Sequence, residues 1–243
     1  MTEHIQNESM RNEKKQNSKN SGINDISKPA RANILAKLKS QVAGADYDKL
    51  PKETAFVYPE LSKTDQILQF CNHLEANHAQ VIKLNESDIS KEIAVQLKKR
   101  KIDSLLYGKS NEYSMAVESL ANQLELKAYD FTIDGNKETL FKDYPAAISN
   151  SRCAIAATGS IVLWPDENEP RTLSLVPPIH IVIVDANNLY ADFSTLIKNQ
   201  AWQNKLPTNV VLVSGPSKTA DIQQTLAYGA HGPKELIVFL LNS

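Results

Sequence analysis

A turn rich in glycine and serine, at residues 214–219, carries the side chains best suited to binding a small anion. It follows an apolar, β-branched run at 210–213, typical of a buried strand, and precedes a segment that reads as a helix ended by Gly229. A turn between a strand and a helix N-terminus directs backbone N–H groups at a ligand, and Lys218 adds positive charge. A well-capped connection that binds nothing explains the same pattern. The candidate ligand-binding residues of this turn are Ser214, Gly215, Pro216, Ser217, Lys218, Thr219 and Asp221.

A second group of candidates, Thr158, Gly159 and Ser160, lies between two apolar runs that read as strands. The two hydroxyls and the glycine N–H could contact a bound acyl or phosphate group. A tight hairpin explains the glycine fully and is the simpler interpretation.

Two histidines complete the candidate ligand-binding residues. His180 begins a predicted strand behind a proline pair, where it could face a cleft or be a core imidazole. His231 precedes the last predicted strand, so it lies at the opposite strand end from Ser214 if that strand is parallel. A triad of Ser214, His231 and Asp221 can be drawn, but the chain has no G-x-S-x-G elbow, and no catalytic residue is assigned.

Other signatures of chemistry are missing from the sequence. There is no G-x-G-x-x-G and no P-loop motif, so the common nucleotide-binding patterns are absent. The two cysteines, Cys71 and Cys153, cannot supply the four ligands of an iron–sulfur cluster or a structural zinc site. The acidic run at 166–169 reads as a solvated loop rather than a cation site. We therefore predict no metal and no cofactor in this chain.

Helices and strands alternate from residue 61 onward, which predicts a parallel-rich sheet covered on both faces. Such sheets bind ligands outside the carboxyl ends of their strands, where the loops at 107–110, 158–160 and 214–219 should meet. The predicted strands are 79–84, 102–107, 126–131, 153–157, 161–164, 179–185, 210–213 and 235–241. The predicted helices span 62–74, 87–100, 111–123, 137–148 and 193–202, besides the one after the turn at 214–219.

Composition narrows the class of protein. With 243 residues, a net charge of −1 and 23% charged residues, nothing indicates nucleic acid or an anionic membrane as the main partner. No apolar run approaches the ~20 residues that span a bilayer, and the polar N-terminus lacks a signal peptide, so we predict a cytoplasmic protein. Residues 1–26 read as a disordered arm, 27–59 as a helix and connecting loop, and 60–243 as the α/β domain.

Four motifs, in order, resemble the lactate-utilisation protein C family, whose members consist of a LUD domain. They are T-G-S-I-V-L at 158–163, R-x-L-S-L-x-P-P-x-H-I-V-I-V at 171–184, S-G-P-S-K-T-A-D-I at 214–222 and H-G-P-K-E-L at 231–236. The resemblance is strong over 150–243, weaker over 60–150, and touches the helix at 31–38.

The resemblance implies a three-layer αβα fold, similar to that of glucosamine-phosphate deaminase, ribose-phosphate isomerase and CoA transferases. It also implies a non-cluster accessory subunit of a bacterial system that oxidises L-lactate to pyruvate, with iron–sulfur clusters in the partner subunits. The family's chemistry is not settled, so the resemblance supplies no catalytic mechanism.

Three positions depart from the family's pattern. Many relatives have an acidic residue at the position of Ala157, Arg at Lys218 and Glu at Gln223. Lysine keeps the charge but loses the bidentate fork of arginine. Two alternatives therefore stay open: a free-standing enzyme acting on an acyl-CoA, folate or sugar phosphate, and a regulatory interaction module that uses the N-terminal helix.

Overall fold

The computed structural model describes residues 29–46, 60–109, 112–131, 142–204, 206, 208–220, 226–229 and 231–242. The chain divides into two units, Met1–Phe56 and Val57–Ser243. In the first, helix α1 spans 29–42, as its sequence predicts, and its large apolar side chains are exposed. The predicted arm at 1–26 and most of the predicted loop after α1, at 47–59, lie outside the described residues.

A sheet of six parallel strands forms the centre of the second unit, in the order β1-β12-β7-β4-β2-β3. The two central strands β7 and β12 have the nearly continuous apolar sequences that a sheet covered on both faces requires. The bounds are β1 Gln80–Leu84, β2 Ser104–Tyr107, β3 Glu125–Ala128, β4 Ala146–Asn150, β7 Ile179–Asp185 and β12 Glu235–Leu241.

Helices cover one face of this sheet. Helix α3 (Ile89–Lys99) follows a short 3₁₀ turn at Glu86–Asp88, and α4 (Ser114–Glu118) is shorter than the helix predicted at 111–123. Ile93 and Leu97 of α3 are fully buried and belong to the same core as Ile181 and Phe239 of the sheet.

The opposite face is covered by helix α2 (Lys63–Ala76) together with a smaller, mixed sheet of four strands in the order β8-β5-β6-β9. Phe70 and Leu74 of α2 share a core with Ile161 of the small sheet and Val238 of the large one. The predicted three-layer α/β fold is confirmed, with a third layer that is part helix and part sheet. The small sheet comprises β5 Cys153–Ile155, β6 Ser160–Leu163, β8 Leu189–Tyr190 and β9 Val211–Val213.

Two shorter helices and a hairpin complete the unit. Helix α6 (Phe193–Asn199) packs Leu196 with Trp202 on the outer face of the small sheet. Helix α5 (Arg171–Leu175) precedes the proline pair before β7. Strands β10 (Lys218–Ala220) and β11 (Leu226–Tyr228) pair as an antiparallel hairpin.

The prediction for residues 210–229 is wrong in two respects. The strand at 211–213 joins the small sheet as an edge strand, and Leu212 is 48% exposed, so this strand is not buried on both faces. The segment after the turn begins a β-hairpin instead of a helix. The turn at 214–217 therefore has no helix N-terminus beside it, and the helix-dipole argument for an anion does not apply.

The helix predicted at 137–148 extends too far, because Lys142 is helical but 146–148 belong to the buried strand β4 between β2 and β7. A short apolar run of this kind has the same periodicity signal in a buried strand as in a buried helix. The part of that prediction at 137–141 lies outside the described residues.

Gly159 permits the contact between the small sheet and α2. It has a left-handed backbone with φ of 59°, and a Cβ atom there would lie 2.5 Å from the Cβ of His73 and 3.2 Å from the N of Leu74. Left-handed backbone is costly for residues other than glycine, and the helix leaves no room for a side chain.

We expect Gly159→Ala to lower the free energy of unfolding of the second unit by about 2–4 kcal/mol, because strain and steric overlap add. Urea denaturation measures the change. Gly44→Ala is the control, since Gly44 also has a positive φ of 82° but meets no atom within 4 Å and lies in the first unit. A Gly159→Ala protein within about 0.5 kcal/mol of wild type would contradict this account of the packing.

Candidate functional site

Five of the twelve predicted site residues, His180, Ser214, Gly215, Ser217 and His231, line one cavity of about 180 Å³. The cavity lies at the amino ends of β7 and β12, since His180 and Leu236 are the second residues of these strands and are paired in register. The described residues lining it are Ser174, Leu175, His180, Val211, Leu212, Val213, Ser214, Gly215, Ser217, His231, Gly232, Pro233 and Leu236.

The predicted convergence at the carboxyl ends of the strands is therefore wrong. The described part of the loop at 107–110, through Lys109, follows β2 at the carboxyl edge, whereas the turn at 214–217 and the loop before β12 lie at the amino edge. His231 reaches the turn although β12 is parallel, because β9 belongs to the other sheet and its direction is independent of the large sheet.

Three hydroxyls connect the 158–160 corner to this turn. The Oγ1 of Thr158 lies 2.7 Å from the Oγ of Ser160, which lies 2.8 Å from the Oγ of Ser214. Thr158 is exposed, Ser160 is buried and Ser214 lines the cavity, so the chain of hydroxyls runs from the surface to the cavity. The pairing of β6 with β9 places the two serines side by side, because Ile161 and Val213, their neighbours, are partners in register.

Backbone hydrogen bonds fix the base of the hairpin against the loop before β12. The N–H of Ser217 donates to the carbonyl of Pro233 at 2.8 Å, and the N–H of Gly229 donates to the carbonyl of Ser217 at 3.0 Å. The N–H of His231 lies 3.4 Å from the Oγ of Ser217. These contacts hold Ser217 and His231 together on one side of the cavity.

The other candidates of the turn are not among the described residues that line the cavity. Pro216 is half-buried and Lys218 is exposed. The backbone of Thr219 lies in β10, and Asp221 lies outside the described residues, so the triad with Ser214 and His231 stays a prediction.

His180 is a core residue that also lines the cavity. Its side chain is fully buried, and burial lowers the pKa of its imidazole to about 3, so the ring is neutral near pH 7. Its Nε2 lies 2.7 Å from the Oγ of Ser149 on β4. Its Nδ1 is buried and has no hydrogen-bond partner among the described residues.

Sequence reasoning missed two polar residues at this place, Ser149 and Ser174. Both are buried, and Ser174 lines the cavity with its Oγ donating to the carbonyl of Arg171 at 3.0 Å. Ser149 stands directly after a segment predicted as helix, and only the pairing of β4 with β7 brings it near His180. Ser174 could have been chosen as a candidate from the sequence, because it lies within the motif at 171–184.

The acidic run at 166–169 is not a solvated loop throughout. Both carboxylate oxygens of Glu169 accept the N–H of Asn150, at 3.2 and 3.1 Å, at the carboxyl end of β4. The side chain of Glu169 also occupies the space where Gly108 would carry a Cβ. Glu169 thus covers the carboxyl edge of β2 and β4, where the sequence predicted the ligand.

The described residues hold no group of three or more His, Cys, Asp or Glu that could bind a metal ion. Both cysteines are buried, and burial raises the pKa of each thiol, that of Cys153 to about 12, so neither offers a thiolate near pH 7. No helix in the described part of the chain is long and apolar enough to cross a bilayer.

Comparison with known proteins places this geometry in context. A model of the LUD domain matches residues 67–241. The protein NMB1437 of Neisseria meningitidis, which is named as uncharacterized, is 35% identical over 223 residues that cover 87% of this chain and 93% of the relative. Lactate utilization protein C 1 of Bacillus mycoides is 30% identical, covering 73% of this chain and 79% of the relative.

A solved structure has the same fold. The crystal structure of a DUF162 family protein from Deinococcus radiodurans superposes with a TM-score of 0.57 and 17% identity, and the match covers 75% of this chain and all of that one. At this identity the likeness shows the fold alone.

The neutral state of His180 predicts a pH dependence of stability. Its pKa is about 3 when folded and near the ordinary 6.5 when unfolded, so between these values the unfolded chain binds one more proton. We expect the free energy of unfolding to fall, as pH falls below 6.5, by up to about 1.4 kcal/mol per pH unit more in wild type than in His180→Gln. Urea denaturation of both proteins at pH 7, 6 and 5 measures the difference, and parallel pH profiles would contradict it.

Proposed function

Because this chain belongs to the LUD domain family, we propose that it serves bacterial lactate utilisation and binds a small carboxylate in the cavity at the amino edge of its sheet. One observation carries the proposal. The motifs at 171–184, 214–222 and 231–236 each supply residues that line this single cavity, and the motif at 158–163 reaches it through the hydroxyl contact of Ser160 with Ser214. Segments far apart in sequence thus meet at one place, as a ligand site requires.

The polarity of the cavity suits a small anion with an apolar part. None of its described lining residues has an acidic side chain, and the hydroxyls of Ser214 and Ser217 stand near exposed His231. Exposed Lys218 follows Ser217 directly in the chain and would add positive charge near this side of the cavity. Valine and leucine are the commonest apolar residues of the wall.

The size of the cavity argues for a ligand of a few heavy atoms. Sites that enclose drug-sized ligands have volumes of about 300–1,000 Å³, whereas this one has about 180 Å³. An acyl-CoA or a folate would extend far outside it. The cavity therefore supports a small-carboxylate ligand over the alternative of an acyl-CoA or folate enzyme.

We further propose that the chain acts as an accessory subunit, beside partner subunits that carry iron–sulfur clusters. Its two buried, protonated thiols are unsuited to cluster ligation, so redox chemistry would belong to the partners. Helix α1 offers a docking surface, since Ile34, Leu35, Leu38 and Val42 are between 44% and 60% exposed. The same exposed surface also supports the alternative that the chain is a regulatory interaction module.

A genetic experiment tests the role in the cell. Deleting the gene should abolish growth on L-lactate and leave growth on glucose intact. In a separate test of the docking surface, a chain lacking residues 1–44 should still bind ligand but should no longer co-purify with cluster-bearing partners. Normal growth of the deletion strain on L-lactate would contradict the proposed role.

A substitution tests the charge beside the cavity. We expect Lys218→Ala to weaken the binding of L-lactate about two- to fivefold in low salt, because an exposed charge contributes about 0.5–1 kcal/mol. The loss should shrink at high ionic strength, where the charge is screened. Titration calorimetry measures it, and Lys99→Ala, which removes an exposed lysine from the helix on the opposite face, is the control. Equal affinities of Lys218→Ala and wild type would remove Lys218 from the site.

A further inference from the structure

The buried side of the cavity contains a polar group that the proposed carboxylate site does not use. His180 lines the cavity with a fully buried side chain, yet only one of its ring nitrogens has a hydrogen-bond partner among the described residues. Buried polar atoms are nearly always paired, so an unpaired nitrogen in a residue that lines a cavity suggests a ligand atom as its partner. The inference below rests on the proposed function and concerns which carboxylates the site accepts.

We infer that the Nδ1 of His180 binds an uncharged oxygen of the ligand, a hydroxyl or a carbonyl, so that the site selects hydroxy or oxo acids over simple carboxylates. Nε2 is held by Ser149 on β4, which leaves Nδ1 as the ring nitrogen without a partner among the described residues. A neutral imidazole brings no charge to offset that of a buried carboxylate, but it can donate to a carbonyl oxygen or accept from a hydroxyl.

Ser149 lets the ring serve either kind of oxygen. If the Ser149 hydroxyl donates to Nε2, then Nδ1 carries the proton and donates to a carbonyl oxygen. If Nε2 carries the proton and donates to Ser149, then Nδ1 accepts from a hydroxyl. The hydroxyl of Ser149 can rotate between the two arrangements, so this pair accommodates both an alcohol and the ketone that corresponds to it.

The rest of the cavity sets the remaining features of the ligand. The carboxylate lies on the side of Ser214, Ser217 and His231, while its second oxygen reaches His180 beside apolar Leu236. Ser174, whose hydroxyl hydrogen is engaged by the carbonyl of Arg171, offers a further acceptor. The ligand is thus a short-chain acid with one neutral oxygen on its carbon chain.

Three probes of similar size test the inference by titration calorimetry at pH 7. L-lactate carries a hydroxyl, pyruvate carries a carbonyl, and propionate has neither. We expect L-lactate and pyruvate to bind about tenfold more tightly than propionate, the effect of one buried hydrogen bond. Equal affinities of the three would overturn the inference and leave the proposed carboxylate site standing. Absence of binding by all three would overturn both.

Two readouts separate a ligand contact from a merely structural role. In Ser149→Ala the preference for L-lactate over propionate should fall below about threefold, because the ring loses the partner that sets its protonated nitrogen, while propionate affinity stays unchanged. In wild type labelled with ¹⁵N-histidine, L-lactate should shift the Nδ1 resonance of His180, and propionate should not. An unshifted Nδ1 at saturating L-lactate would overturn the inference, and this measurement needs no variant that must fold.

Discussion

The antiparallel pairing of β6 with β9 is the constraint on which the site depends. It aligns Ile161 with Val213 and so places Ser160 beside Ser214, with 2.8 Å between their hydroxyl oxygens. The same pairing draws the turn at 214–217 away from the large sheet's carboxyl edge and toward its amino edge, next to the loop that precedes β12. The pairing of β9, a strand of three residues, thereby determines which loops lie around the cavity.

Burial determines the protonation state of His180, on the inner side of the cavity. Because the small sheet and α2 cover one face of the large sheet, His180 is excluded from water, and its imidazole is neutral. A neutral ring tolerates an apolar wall of valine and leucine, whereas an imidazolium would need a counterion there. The cavity thus has the hydroxyls of Ser214 and Ser217 on one side and an uncharged hydrogen-bonding ring on the other. This division of polarity supports our proposal that the ligand is a small acid with a second, neutral oxygen.

Sequence patterns predicted the parts of the structure that local chemistry determines. The long apolar runs at 179–185 and 235–241 are strands with these bounds, and the helix predicted at 62–74 is α2, with Ser62 as its N-cap. The membership of the LUD family that four motifs indicated is confirmed by the match over 67–241. The same motifs supply most of the residues around the cavity, so the grouping of candidate residues was within reach of sequence reasoning.

The position of the cavity at the amino edge could not be predicted from the sequence, because an apolar β-branched run does not indicate which sheet it joins. Residues 211–213 satisfy the pattern of a central parallel strand, yet they form an edge strand of the small sheet. The roles of Ser149 and Glu169 were not predicted for a related reason, since each contacts a residue distant in sequence. Ser149 contacts His180, and the side chain of Glu169 lies against Gly108. Such contacts follow from the pairing of strands and leave no local signal.

A crystal structure of the protein with L-lactate tests the central claim most directly. The account predicts density for the acid in the amino-edge cavity, with its carboxylate beside Ser214 and His231 and its hydroxyl at the Nδ1 of His180. Density at the opposite edge, beside Gly108 and Glu169, or a cavity closed by packed side chains, would contradict it.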